Sequence, residues 1–219
     1  MNSILSANQQ KVLAALAREK TVTDHFVLSG GTTLAEFYLH HRHSEDLDFF
    51  AEEEFDPQAI SVLLKHLQKR LSIDSFTFET SFNRNLFFLH IGEDVIKTEF
   101  TYFPFPAIET GTTFNELRVD SLLDIAVNKV FTIYQKPRAR DYIDLYCIVQ
   151  KQSDWNVSDL MKKARIKFDH HLDPLQMSAQ LLKSEEAEDL PNMIARISPD
   201  EWRGFCKMEA RKLAKQVVQ

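Results

Sequence analysis

Cysteine is nearly absent. Cys147 and Cys206 are the two in 219 residues, far apart and without metal-ligand spacing. That excludes a disulfide scaffold or a thiolate metal centre and fits two buried free thiols in a reducing cytoplasm. No apolar run nears the ~20 residues that a membrane span needs. The N-terminal residues show no basic segment followed by an apolar core, so no signal peptide is expected. Positive charge is in deficit: a net charge of −6 argues against broad, sequence-independent nucleic-acid binding, although an acidic protein can still carry a local basic patch. Neither Gly-x-x-x-x-Gly-Lys-Ser/Thr nor Gly-x-Gly-x-x-Gly occurs, which leaves P-loop and Rossmann sites without support. No serine–histidine–acid or cysteine–histidine signature can be placed, and there is no internal repeat or low-complexity stretch.

What remains is an ordinary globular composition, 44% hydrophobic and 26% charged. The 17 phenylalanines fall partly in alternating runs, as on a well-filled sheet face. Residues 8–19 read as an amphipathic helix and 57–71 as another, with Ile60, Leu63, Leu64, Leu67 and Leu71 inside and Lys65, Lys69 and Arg70 outside. Ser75–Phe82, Leu86–Ile91 and Asp94–Phe103 form an antiparallel meander with turns at Asn83-Arg84-Asn85 and Gly92-Glu93. Beyond residue 118 nearly everything reads as helix: one from Asp120 carrying Lys129, one over Asp141–Val149, and further patterns at 158–168, 174–183 and 199–217. The shift near residue 110 divides an N-terminal α/β part, 1–110, from a helical part, 111–219.

Phe26–Phe50 is the most informative stretch. Phe26–Leu28 suits a short buried strand, and Ser29-Gly30-Gly31-Thr32 breaks it. Glycine lets the backbone approach a ligand closely, Thr32 or Thr33 could cap the next helix, and free amides at such a turn make an anion site. Glu45–Phe50 is a second strand on which Asp46 and Asp48 share one face, with Leu47 and Phe49 on the other. Two carboxylates so placed repel unless a positive charge sits between them, and a divalent cation shared with substrate phosphates is the usual answer. Alternatively they are ordinary surface acids, but the aromatics that follow imply a strand inside the sheet. Glu99 could add a third carboxylate; its alternative is a pair with Lys97 on the same face. Three acids around two metals suit in-line displacement at phosphorus. Lys129 reads either as a snorkelling lysine or as a triphosphate-binding cation. Adjacent histidines point in different directions, so His40-His41-x-His43 and His170-His171 make poor metal clusters.

Gly30-Gly31-Thr32 followed by Arg42-x-Ser44-x-Asp46-x-Asp48 resembles the core signature of the nucleotidyltransferase superfamily with the DNA polymerase β-type fold, and the form ending Asp-Phe-Phe most resembles the AbiEii/AbiGii toxin family. Lys129 after Asp120 and Asp124, then Arg138-Ala-Arg140-Asp141-x-x-Asp144, resembles that family's later motifs, with Arg140 where a lysine is usual. An intrahelical ion-pair network would explain the same residues. The resemblance implies an α+β fold, with a mixed sheet and flanking helices followed by a helical C-terminal region that completes the active site. It further implies a cytoplasmic toxin with an antitoxin partner, which transfers NMP from an NTP to RNA, including tRNA 3′ ends. Ser29, Gly30, Gly31, Thr32, Arg42, Ser44 and Lys129 would contact the nucleotide. Asp46, Asp48 and Glu99 would bind two Mg²⁺, while Asp141 and Asp144 would orient Lys129 or the base. Nucleotidylation of a protein, or nucleotide binding without turnover, would use the same core.

Overall fold

A computed structural model describes residues 3–217. The chain forms two compact units. The first comprises Met1–Tyr38 and His43–Ser121, the second Leu39–Arg42 and Leu122–Gln219.

The first unit is built on one mixed sheet of seven strands: β1 (Val27–Ser29), β2 (Leu47–Ala51), β3 (Ser75–Ser81), β4 (Arg84–Ile91), β5 (Asp94–Tyr102), β6 (Thr112–Phe114) and β7 (Leu117–Val119). Their order is β3-β4-β5-β2-β1-β7-β6. β3, β4 and β5 form the expected antiparallel meander. β2 runs parallel to β5 and antiparallel to β1, and β1 runs parallel to β7. β2 is therefore an interior strand, as its aromatic residues predict.

Strand alternation sorts the side chains. Leu47, Phe49 and Ala51 of β2, Phe87 and Leu89 of β4, Phe100 of β5 and Leu28 of β1 are all buried in one core. Phe100 stacks on Phe49 at 4.8 Å and meets Phe26 and Phe87 edge-on. Against this face lie α1 (Ala7–Leu16) and α4 (Pro57–Leu71). α1 starts at a capping box on Ser6 and Gln9; α4 starts at Asp56-Pro57 and buries the five apolar residues named above. The helix expected over 8–19 ends earlier, because the amides of Arg18 and Glu19 bond back three residues and tighten the chain into a short α2 (Lys20–Thr23).

Two strands, β6 and β7, lie where the sequence offers no strand signal. They are three residues each, too short for alternation to register. Gly111, just before them, sits where a Cβ would come within 1.9 Å of the Val119 carbonyl oxygen.

The second unit is helical: α5 (Leu122–Gln135), α6 (Ala139–Lys151), α7 (Val157–Phe168), α8 (Pro174–Leu182) and α9 (Pro199–Val217), with a 3-10 turn at Lys183–Glu186. α7 and α8 start on Asn156 and Asp173 caps. Leu39–Arg42, although between elements of the first unit in sequence, joins this one: the amides of Ile194 and Ala195 both donate to the His41 carbonyl at 2.9 Å. Inside the unit Lys167 and Asp124 form a buried ion pair at 2.7 Å. Among the described residues no helix is long and apolar enough to cross a membrane.

Removing one partner of a buried pair strands the other charge. Lys167→Met is expected to cost ~3–5 kcal/mol, whereas the matched double change Lys167→Met/Asp124→Leu recovers most of it; thermal melts of the two variants check this.

Candidate active site

The turn after β1 is set by Gly30. Its φ of +78° lies in the left-handed region, which side chains resist. A Cβ there would also stand 2.0 Å from Asp48 Oδ2. The Asp48 carboxylate thus occupies the space that glycine leaves, which couples the turn to β2. A short α3 (Gly30–Thr33) follows, capped in position by Ser29, and runs on as a π-helical turn over Leu34–Leu39. Neither threonine caps this helix. Thr33 Oγ1 donates to the Ser29 carbonyl at 2.5 Å; Thr32 Oγ1 donates to the Asp46 carbonyl and is hydrogen-bonded to the Ser44 hydroxyl at 2.8 Å. Ser29 Oγ donates to Asp120 Oδ2 at 2.5 Å, and the Tyr38 hydroxyl donates to the Asp120 carbonyl at 2.7 Å. Ser29, Thr32, Ser44 and Asp46 are therefore stitched into one loop system around the glycine turn.

On the sheet face opposite the phenylalanine core, register places Asp48 beside both Ser29 and Glu99. The strand expected from Glu45 begins only at Leu47, so Asp46 immediately precedes β2; its carboxylate nonetheless meets Lys97, which lies two residues before Glu99 on β5. Lys97 Nζ lies 2.7 Å from Asp46 Oδ2 and 3.9 Å from Glu99 Oε2. Arg84, which the sequence analysis places only in a turn, grips Glu99 through two donors, Nε at 2.6 Å and Nη2 at 2.5 Å. Thr101 Oγ1 donates to the same carboxylate at 2.9 Å. Burial works to raise the Glu99 pKa, but the hydrogen bonds and charge of Arg84, with Thr101 and Lys97, outweigh it and hold the group below the ordinary carboxylate value. Both readings of Glu99 thus meet in one residue: it shares the face of Asp46 and Asp48, and it is ion-paired, chiefly to Arg84 rather than Lys97.

Oxygen donors of this kind suit a hard cation such as Mg²⁺. Among the described residues, however, no three His, Cys, Asp or Glu side chains converge on a metal position. The reason is visible in the contacts above: Glu99 faces Arg84 and Asp46 faces Lys97. Asp48 on β2 and Asp46 just before it fit the role by their chemistry, Asp46 once Lys97 lets go and Glu99 once Arg84 does.

The helical unit holds a second cluster. Asp144 is fully buried and accepts from Arg42 Nε at 2.7 Å and Nη2 at 2.8 Å, from Lys129 at 2.7 Å, and meets His41 Nε2 at 2.7 Å. Lys129 also reaches Asp141 at 2.8 Å, and Asp141 Oδ2 accepts the Arg138 amide. Burial alone raises the Asp144 pKa; the charges of Lys129 and Arg42 and the hydrogen bonds from Arg42 and His41 reverse this and hold it well below the carboxylate range. Burial lowers the Lys129 pKa, but Asp144 and Asp141 carry it above the ordinary lysine value. Lys129 is thus a fixed cation rather than a snorkelling one. Arg42, expected as a phosphate contact, is 2% exposed and gives its guanidinium to Asp144. His41 is absorbed in this network, and His170 packs edge-on against Phe131 and Tyr134. Cys147 and Cys206 are buried, and burial pushes both thiols up to about 12.

The family model described as nucleotidyl transferase AbiEii toxin of type IV toxin–antitoxin systems matches residues 11–217. No curated protein matches in sequence. Among solved structures, JHP933 from Helicobacter pylori is similar, with a TM-score of 0.59 at 19% identity, covering 98% of this chain and 95% of its own. A putative nucleotidyltransferase from H. pylori gives the same score and identity over 98% of each chain. MenT4, the nucleotidyltransferase toxin Rv2826c from Mycobacterium tuberculosis H37Rv, has a TM-score of 0.59 at 17% identity, covering 93% of this chain and 82% of its own. The mixed sheet and helical C-terminal region are thus those of nucleotidyltransferase toxins, as the sequence motifs imply.

A methyl group at position 30 must displace Asp48. Gly30→Ala is expected to lower stability by about 2 kcal/mol or more, through the positive φ and the clash together, and to remove nucleotide binding; urea melts and fluorescent-nucleotide titration check the two effects separately.

Proposed function

We propose that this chain, which belongs to the AbiEii nucleotidyl transferase toxin family, transfers a nucleoside monophosphate from an NTP to an acceptor hydroxyl on RNA, with the 3′ end of tRNA as the leading acceptor. The observation that carries this reading is the seating of Asp48 against Gly30 on the acidic face of β2 and β5. One short segment brings a glycine turn and helix start against a strand that carries Asp48 and directly follows Asp46, and phosphoryl chemistry uses both an anion-binding turn and carboxylates.

In the reaction, the acceptor hydroxyl gives up its proton to water as its oxygen forms a bond to the α-phosphorus. The bond from that phosphorus to the bridging oxygen breaks, and pyrophosphate leaves. Backbone amides of Gly30 and Gly31, with Ser29, Thr32 and Ser44, would hold the triphosphate. Asp46, Asp48 and Glu99 would hold two Mg²⁺. When bound, such ions lower the pKa of an attacking hydroxyl and stabilise the leaving pyrophosphate. For the helical unit we assign Lys129 as the working cation, with Asp141 and Asp144 orienting it. Arg42 acts through Asp144, which its two hydrogen bonds favour over direct phosphate contact. The division of labour we propose puts nucleotidyl chemistry on the first unit and Lys129 and its acids on the second. The protein would act in the cytoplasm, countered by a separately encoded antitoxin.

Incubation with each α-labelled NTP, Mg²⁺ and total cellular RNA and protein tests the reading. Label is expected on an RNA band, reduced about a hundredfold or more in Asp46→Asn/Asp48→Asn, since loss of the metal ligands forfeits several kcal/mol of charge stabilisation. Label on protein instead would make the acceptor a side chain. Bound nucleotide with no transfer anywhere would contradict catalysis.

A further inference from the structure

Two cations on the acidic face have no part in the reaction as written. Arg84 sits at the start of β4, directly after the turn from β3, opposite Thr101 in register. Its side chain is 48% exposed, yet both of its donors are on Glu99. Lys97, 22% exposed, holds Asp46. Across the face the sequence of charges is therefore Arg84 on β4, Glu99 and Lys97 on β5, then Asp48 on β2 and Asp46 just before it. The three acids and two bases leave a single net negative charge on the face.

We infer that Arg84 and Lys97 are exchangeable counter-cations: they hold Glu99 and Asp46 while the site is empty, and turn to the triphosphate when metal and nucleotide load. The inference rests on the metal and NTP reading above and adds two nucleotide-binding residues to it. Coordination carries it. A carboxylate oxygen held by Arg84 or Lys97 is not available to ligate a metal. When the carboxylates pass to the metals the two bases lose their partners, and the phosphates are the anions that arrive with the metals. Arginine suits the exchange, since its planar fork matches phosphate oxygens as well as it matches a carboxylate. Half-exposure at the end of a hairpin leaves the guanidinium free to turn without disturbing the phenylalanine core, which faces the other way. Asp144 is the contrast, because its partners Arg42 and Lys129 are buried and have no such freedom.

The exchange predicts that Arg84 competes with metal in the absence of nucleotide and cooperates with it in the presence of phosphates. Mn²⁺ binding to the full-length protein, followed by electron paramagnetic resonance with and without inorganic tripolyphosphate, reads both effects without turnover. Against wild type, Arg84→Gln is expected to bind Mn²⁺ alone about fivefold more tightly, the scale of a partly exposed ion pair. Tripolyphosphate should tighten Mn²⁺ binding strongly in wild type and much less in Arg84→Gln, with Arg84→Lys in between. If Arg84 merely braces the sheet, the variant will melt earlier with Mn²⁺ curves unchanged or weakened, and that result overturns the inference. Asp46→Asn/Asp48→Asn separates the two levels. Loss of Mn²⁺ binding there, with Arg84→Gln identical to wild type, removes the exchange alone, whereas unchanged Mn²⁺ binding there removes the metal reading and the exchange with it.

Discussion

Like charges crowded on one face of an interior strand are the constraint around which the first unit is built. Asp48 and Glu99 lie opposite each other on neighbouring strands about 4.8 Å apart, the spacing of any sheet, and Asp46 immediately precedes the strand of Asp48. Carboxylates that close repel, and a fold tolerates them only where positive charge or hydrogen-bond donors stand between. Here Lys97, Arg84 and Thr101 supply both. The opposite face of the same strands is sealed by stacked phenylalanines, so register cannot slip by one residue without exchanging acid for core. The hydrophobic side of β2 thereby fixes where its acids point.

The glycine turn answers to the same constraint. Asp48 needs room on the β1 side, and Gly30 supplies it by having no Cβ. The positive φ there, the short α3 and its continuation as a π-helical turn bring the chain round to Ser44 and Asp46, where Thr32 ties the two ends together. In the helical unit, charge is handled differently. Asp144 gathers Arg42, Lys129 and His41 in full burial, so its partners are fixed and the cluster is rigid. Half-exposed pairs can exchange partners; buried ones hold position.

Much of this was legible from residues alone. The alternation of Leu47, Asp48 and Phe49, although the strand begins just after Asp46, and the α4 stripe of Ile60, Leu63, Leu64, Leu67 and Leu71 are local signals, and the structure carries each. β6 and β7 were not legible, because three-residue strands are defined by their neighbours and not by their own pattern. The caps expected at Thr32 and Thr33 failed for a related reason: both hydroxyls find better acceptors at Ser44, Asp46 and Ser29, which sequence does not show to be near. Arg84 escaped notice as one of three turn residues. Only the pairing of β4 with β5 reveals that it lies alongside Glu99. Arg42 was picked out as a cation of the motif, but which anion it serves depends on a contact about a hundred residues away, to Asp144.

The central claim is that Asp46 and Asp48 are metal ligands beside a nucleotide held at the Gly30 turn. Crystals of the wild-type protein grown with Mn²⁺ and a non-hydrolysable NTP analogue address it directly. The account predicts an anomalous peak bonded to carboxylate oxygens of both aspartates and to the triphosphate. A triphosphate bound elsewhere, or Mn²⁺ absent from these carboxylates while Lys97 still holds Asp46, would contradict it.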